Sequence, residues 1–112
     1  MNLKLTLTAA SIILTLAWPM AGLAADADAG KTAYEKSCAG CHGKDGKGNP
    51  GMAKVLGEKG LNIVGKETTQ KSDAALLKII AEGSGKMPAS KLSKDEQKQA
   101  LGYARSLAKD VK

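Results

Sequence analysis

The pattern of hydrophobic and polar positions changes abruptly after about the first 25 residues of this chain. The N-terminal part has one charge, Lys4, followed by an apolar stretch over residues 5–18, then Pro19 and a run rich in small residues. This three-part pattern is typical of a secretory signal peptide, and the apolar stretch is short for a membrane span. We expect cleavage after Ala24 or Ala25 and export to the periplasm. The alternative is a retained membrane anchor.

The rest of the chain, residues 25–112, predicts one small domain. Its first helical pattern begins with Asp26 and Asp28, which favour helix N-termini, and continues into the sequence CAGCH. The glycine-rich stretch GKDGKGNPG that follows must form a loop. A short helix is expected from Met52 to Leu56, since Gly57 would end it.

Two further helices are predicted in the C-terminal half. The segment KSDAALLKIIAEG has Ser72 or Asp73 as its N-cap and Gly83 at its C-terminal end. The last segment opens with Ser93 and Glu96 in the S-x-x-E spacing of a capping box. Their apolar residues have helical spacing: Leu76, Leu77, Ile79 and Ile80 in the first, and Ala100, Leu101, Ala104, Leu107 and Ala108 in the second. No segment alternates with the period of a strand, so the expected fold is all-α.

The composition of this domain leaves its core incomplete. Removal of residues 1–24 leaves 88 of the 112 residues, with 13 Leu, Ile and Val and no Phe or Trp. So few large apolar side chains are typical of a domain that needs disulfides, a metal or a large cofactor to fold. The two cysteines allow at most one disulfide, which excludes a disulfide-rich scaffold. We therefore expect a cofactor to fill the core.

The sequence CAGCHGKDGKG contains both cysteines and the only histidine, and it has three interpretations. A thiol redox pair would follow a strand at the start of a helix, and no strand is predicted. A structural zinc or copper site would need a fourth ligand, such as a carboxylate or Met87, and nothing in the spacing indicates one.

The third interpretation, which we favour, is covalent attachment of haem, because C-x-x-C-H is the known motif for it. Residues at i, i+3 and i+4 share one face of a helical turn, so Cys38, Cys41 and His42 can meet one edge of a porphyrin together. The two thiols would add to the vinyl groups as thioethers, and the imidazole would bind the iron. A haem also supplies the bulky apolar body that this composition lacks.

Methionine is the expected ligand on the second face of the iron, because the chain has no second histidine. Met87 lies in GSGKMPAS, 45 residues after His42, where glycines permit close backbone approach and Pro88 stiffens the chain. Met52, ten residues after His42, is more simply a residue that packs on the haem. An open or lysine-ligated iron is the alternative. His/Met ligation would leave no coordination position for a substrate, so the site would transfer electrons and catalyse no reaction.

Three blocks of sequence resemble small bacterial class I cytochromes c: Gly30-x3-Tyr34-x3-Cys38-x2-Cys41-His42, Lys86-Met87-Pro88, and Tyr103-Ala104-Arg105. The resemblance covers nearly all of residues 25–112. It implies a small helical domain wrapped around one covalently bound haem c, with the first and last helices crossing near Gly30. It also implies that Tyr34 and Tyr103 flank this crossing. Gly102 is either a second close approach or a tolerated weak point of the helix.

The resemblance and the motifs together predict a soluble periplasmic electron carrier and not an enzyme. Its haem c would be attached at Cys38 and Cys41 and ligated by His42 and Met87. Two alternatives stay open. One is a haem-based gas or redox sensor whose Met87 leaves the iron or never binds it, and the other is a small cytochrome subunit of a larger oxidoreductase.

Two features depart from the family pattern. Mitochondrial members have a tryptophan that hydrogen-bonds a haem propionate, and residues 25–112 contain none, so another polar group or a water must replace it. The family also often uses a proline carbonyl to accept the Nδ1–H of the ligand imidazole, which fixes the tautomer and the ring angle. Pro50 is the natural candidate for this carbonyl, with Asn49 and Gly48 as alternatives.

The charge of the chain bears on its partners. Residues 25–112 hold 16 Lys and Arg and 11 Asp and Glu, a formal charge of +5, which two ionised propionates would lower to about +3. Lysines near a haem edge commonly steer acidic redox partners into brief, salt-sensitive encounters. The candidates are Lys36, Lys44, Lys47 and Lys86, whose alternative role is solubility. We expect a monomer without stable membrane insertion after cleavage, and no nucleic-acid binding, since no basic cluster is interleaved with aromatic residues.

Overall fold

The computed structural model describes residues 21–110 of the chain. Its helices, in chain order, are α1 (Ala21–Ser37), α2 (Ala39–His42), α3 (Pro50–Leu56), α4 (Lys66–Thr69), α5 (Asp73–Glu82) and α6 (Lys94–Lys109). Within the described range, the sole β-type pairing is an isolated bridge between Ser84 and Met87. The all-α prediction is therefore confirmed. The apolar stretch over residues 5–18 lies outside the described residues.

The helix ends follow the capping residues that the sequence predicts. Ser72, rather than Asp73, is the N-cap of α5, because its hydroxyl accepts the N–H of the third helical residue. Gly83 ends that helix with a φ of 81°, which glycine adopts without steric cost. Ser93 and Glu96 form the predicted capping box of α6, since each side chain accepts the backbone N–H of the other residue.

Two helix boundaries differ from the predictions, and one helix is additional. α1 begins upstream of the predicted Asp26. α3 begins at Pro50 instead of Met52, because Asn49 accepts the N–H of Gly51 and a proline suits the first helical position. The four-residue α4 was not predicted, since its sequence KETT is a single polar turn without apolar periodicity.

The packing of α1 against α6 forms the centre of the fold. A β-carbon added at Gly30 would lie 3.1 Å from the carbonyl carbon of Gln99 and 3.3 Å from Tyr103 Cβ. Tyr34, one turn further along α1, is 1% exposed, and its ring packs at a tilt on Tyr103 with 5.3 Å between centroids. The predicted crossing near Gly30 is therefore present. A β-carbon added at Gly102 meets nothing within 4 Å, so the prediction of a second close contact between helices at this glycine is wrong. Gly102 instead lowers the stability of α6, as a glycine inside a helix does.

The apolar core of the described residues is small. Its buried members are Ala33, Tyr34, Leu61, Leu76, Leu92, Ala100 and Leu101. Val55 on α3 is 73% exposed. A core of this size agrees with the prediction that a cofactor supplies the remaining apolar contacts.

Arg105 ties α6 to the start of α5. Its Nε donates to Asp73 Oδ1 at 2.7 Å and its Nη2 to the Lys71 carbonyl at 2.8 Å. The Asp73 side chain is 70% exposed, so we expect this ion pair to contribute less than about 1 kcal/mol. In the described part of the chain, none of the helices has the length and apolar character needed to cross a membrane.

Candidate cofactor site

Cys38, Cys41 and His42 lie on a single helical turn between α1 and the glycine-rich loop. The carbonyl of Cys38 accepts the N–H of Cys41 at 3.2 Å and that of His42 at 3.0 Å. Both cysteines are free thiols and half-buried. Burial raises the pKa of the Cys38 thiol, and the neighbouring Cys41 raises it further. The structure thus brings three of the four predicted site residues together.

The His42 ring is buried and held by a backbone acceptor. Its Nδ1 lies 2.8 Å from the carbonyl oxygen of Leu61, and the residue is 9% exposed. A carbonyl can only accept a hydrogen bond, so Nδ1 carries the proton, and in a neutral imidazole Nε2 then keeps its lone pair. This is the tautomer and the kind of support that a metal-binding histidine requires.

The predicted acceptors for His42 are wrong. Pro50 opens α3, so its carbonyl is directed along that helix, and the Asn49 carbonyl accepts the first N–H bond of α3. Gly48 instead packs against Leu61: a β-carbon added at Gly48 would lie 3.2 Å from Leu61 Cβ. This close approach places the Leu61 segment, rather than the Pro50 segment, beside the ring.

The glycine-rich loop folds back onto the turn that carries the cysteines. The carbonyls of Cys41 and His42 accept the N–H groups of Asn49 at 2.9 Å and Gly48 at 2.7 Å. The Asn49 side chain also donates to the Gly40 carbonyl at 3.0 Å. The loop therefore satisfies the carbonyls at the C-terminal end of α2, which would otherwise have no intrahelical partner.

Met87 lies in a separate tight turn after α5. Its N–H and carbonyl form hydrogen bonds with Ser84 at 2.9 and 3.0 Å, and its side chain is half-buried. A β-carbon added at Gly83 would be 2.6 Å from the Met87 carbonyl oxygen. Lys86 Nζ donates to the Leu56 carbonyl at the end of α3, at 3.1 Å. Met87 as a ligand stays a prediction.

The other residues that the sequence singles out lie at the surface or at its edge. The candidate docking lysines are exposed: Lys36, Lys44, Lys47 and Lys86. Met52 is half-buried on α3, where packing on a haem stays a prediction.

Three interactions of the site were not predicted. They are the His42 bond to the Leu61 carbonyl, the Lys86 bond to the Leu56 carbonyl, and a bond of 2.6 Å from the Tyr34 hydroxyl to the Gly43 carbonyl. All three acceptors are backbone carbonyls, which every residue carries. The sequence therefore contains no signal that identifies which carbonyl is used.

The donor set fits a haem c. Two free thiols on one helical turn can each form a thioether with a vinyl group, and the next residue offers a neutral imidazole nitrogen. His42 is the sole histidine of the chain, and its tautomer suits iron coordination.

The comparison with protein families points to the same cofactor. The model that matches is described as cytochrome c oxidase, cbb3-type, subunit III, a cytochrome c domain, and it matches residues 25–103. The comparisons with curated proteins and with solved structures yield no match. A cytochrome c-type domain carries covalently bound haem c, in agreement with the C-x-x-C-H spacing of Cys38, Cys41 and His42. Because the match covers well over half of its length, the chain belongs to this family of cytochrome c domains.

Proposed function

We propose that this protein is an exported, soluble electron carrier. In this proposal Cys38 and Cys41 would hold the haem covalently, and His42 and Met87 would bind its iron. The haem supplies the one-electron chemistry, as in other proteins of this kind. The observation that carries the proposal is the hydrogen bond from His42 Nδ1 to the Leu61 carbonyl, because it leaves Nε2 free in a buried and oriented ring.

The protein groups around the iron determine what the haem can do. The Leu61 carbonyl fixes the ring of His42 and increases its basicity as a ligand. A methionine ligand, here Met87, would raise the reduction potential. If His42 and Met87 both bound the iron, a substrate would have no coordination position there, so we propose that the protein is not an enzyme.

Met87 and Met52 provide a matched test of the ligand set. In the haem-loaded protein, Met87→Ala should remove the weak oxidised-state absorption band of the iron–methionine bond, lower the reduction potential and let carbon monoxide bind the reduced haem. Met52→Ala should retain the band and bind carbon monoxide as poorly as the unmodified protein. Rapid carbon monoxide binding by the unmodified protein would contradict the carrier proposal and favour a sensor.

A stable subunit of a larger oxidoreductase is the second candidate, because the matching family model is described as an oxidase subunit. The two candidates differ in whether the protein stays bound to a partner. Gel filtration of a native extract distinguishes them: a carrier elutes at the size of a monomer, and a subunit elutes with its partners.

Export is part of the proposal and rests on the signal-like pattern of residues 1–24. The intact mass of protein isolated from the periplasm tests it. We expect a chain that begins after Ala24 or Ala25 and carries the added mass of one haem.

The partners proposed for the carrier are redox proteins with acidic docking surfaces. Exposed lysines near the two haem-binding segments would steer such partners: Lys36, Lys44, Lys47 and Lys86. The second-order rate of electron transfer should then fall as salt is added. A rate independent of salt would contradict this part of the proposal.

A further inference from the structure

Tyr34 lies at the centre of the packing between α1 and α6. It is 1% exposed, the most deeply buried large side chain of the described residues. Its ring packs on that of Tyr103 at an interplanar angle of 55°. The aromatic ring therefore belongs to the helix crossing.

The hydroxyl of Tyr34 extends from this crossing to the cofactor site. It donates to the carbonyl oxygen of Gly43 at 2.6 Å. Gly43 directly follows His42 and ends α2 with a φ of 79°. Burial raises the pKa of the Tyr34 hydroxyl, so it stays protonated and remains a donor at neutral pH.

The carbonyls of residues 41–43 accept hydrogen bonds from two kinds of donor, the N–H groups of the glycine-rich loop and the hydroxyl of Tyr34. Those of Cys41 and His42 accept from Asn49 and Gly48, and that of Gly43 accepts a longer bond of 3.2 Å from the N–H of Gly46. These donors all belong to the loop itself. The Tyr34 hydroxyl, which also donates to the Gly43 carbonyl, belongs instead to α1. Its hydrogen bond therefore connects the loop to the helix crossing.

We propose that Tyr34 is a positioning residue for His42. Its hydroxyl holds the backbone that follows the ligand, so the packing of the terminal helices sets the angle of the imidazole at the iron. The inference rests on the proposed function, in which His42 is an axial ligand. The angle of the imidazole plane determines how electron spin is distributed over the haem, which the shifts of the haem methyl protons report.

Tyr34→Phe removes the hydroxyl and keeps the ring, and Tyr103→Phe is its matched control. In the described part of the chain, the Tyr103 hydroxyl forms no hydrogen bond. The experiment is proton NMR of the oxidised, haem-loaded proteins. We expect the spacing of the haem methyl signals to change in Tyr34→Phe and to stay as in the unmodified protein in Tyr103→Phe. An unchanged pattern in Tyr34→Phe, or the same change in both variants, overturns the proposal.

Two additions make the result decisive. If the Tyr34→Phe variant folds poorly, the NMR comparison is repeated with Gly102→Ala added to both tyrosine variants. This substitution should stabilise α6 without a new contact, since an added β-carbon at Gly102 meets nothing within 4 Å. In the unmodified protein, a slowly exchanging Tyr34 hydroxyl proton is expected, and rapid exchange counts against the proposal.

The same spectra separate this inference from the proposed function. Strongly shifted signals of a histidine ring and a methionine methyl group show that His42 and Met87 bind the iron. If these shifted histidine and methionine signals are absent from the spectrum of the unmodified protein, the proposed function itself is contradicted. If they are present and Tyr34→Phe leaves the haem methyl pattern unchanged, the positioning role alone fails.

Discussion

His42 Nδ1 and the carbonyl oxygen of Leu61 lie 2.8 Å apart, although 19 positions separate the two residues in the chain. The acceptor belongs to the backbone, so truncation of the Leu61 side chain does not remove it. Its position depends on Gly48, since a β-carbon there would be 3.2 Å from Leu61 Cβ. The orientation of the proposed ligand therefore also depends on a contact of the glycine-rich loop.

Gly48→Ala tests this dependence, with Gly57→Ala as the control. Both glycines have a positive φ, 106° and 86°, so each substitution should strain the backbone and cost about 1–3 kcal/mol of stability. Only Gly48→Ala also presses on Leu61, because a β-carbon at Gly57 meets nothing within 4 Å. We expect the reduction potential and the haem methyl shifts to change in Gly48→Ala and to stay unchanged in Gly57→Ala. Equal changes in both variants would contradict the explanation.

Replacement of glycine by alanine should change the free energy of unfolding in opposite directions at Gly30 and Gly102. Gly30→Ala places a methyl group against the backbone of Gln99 and should lower the free energy of unfolding by about 1–3 kcal/mol. Gly102→Ala adds a methyl group in open space within α6 and should raise it by about 0.5–1 kcal/mol. Denaturant unfolding followed by circular dichroism measures both. A Gly30→Ala variant as stable as the unmodified protein would contradict the close contact between α1 and α6 at Gly30.

Loss of the haem attachment should unfold the domain. Few apolar side chains are buried in the described residues, so a chain with both Cys38→Ala and Cys41→Ala should lack the remaining core contacts. We expect its far-ultraviolet circular dichroism to show little helix, with the haem-loaded protein as the reference. A native helical spectrum from the double variant would contradict the cofactor's role in folding.

Stability should fall at alkaline pH because of Tyr34. Burial raises the pKa of its hydroxyl in the folded protein, so the unfolded chain loses this proton at a lower pH than the folded one. This contribution is fully present below the ordinary tyrosine pKa of about 10, and above it the contribution of Tyr34 to the free energy of unfolding should fall by at most about 1.4 kcal/mol per pH unit.

Tyr34→Phe isolates this contribution, because the variant has no hydroxyl to ionise. Denaturant unfolding of both proteins between about pH 8 and pH 11 gives the difference in their unfolding free energies. We expect the advantage of the unmodified protein to shrink as the pH rises above about 10. A constant difference over this range would contradict the burial of the hydroxyl.

Features with a local chemical cause could be predicted from the sequence. Ser93 and Glu96 form their capping box within one turn, and the C-x-x-C-H spacing places its three side chains on one turn as well. The crossing at Gly30 also followed from the family resemblance. The acceptor for His42 could not be predicted, because Leu61 is distant in sequence and offers the same carbonyl as every other residue.

The visible absorption spectrum of the protein, made in a host that attaches haem c, tests the central claim most directly. The protein is measured oxidised and then reduced, and its haem is checked for covalent attachment after denaturation. We predict sharp low-spin bands on reduction, a weak iron–methionine band on oxidation, and haem that stays with the denatured chain. A high-spin oxidised spectrum would show that Met87 does not bind the iron. Haem that separates from the denatured chain would contradict attachment at Cys38 and Cys41.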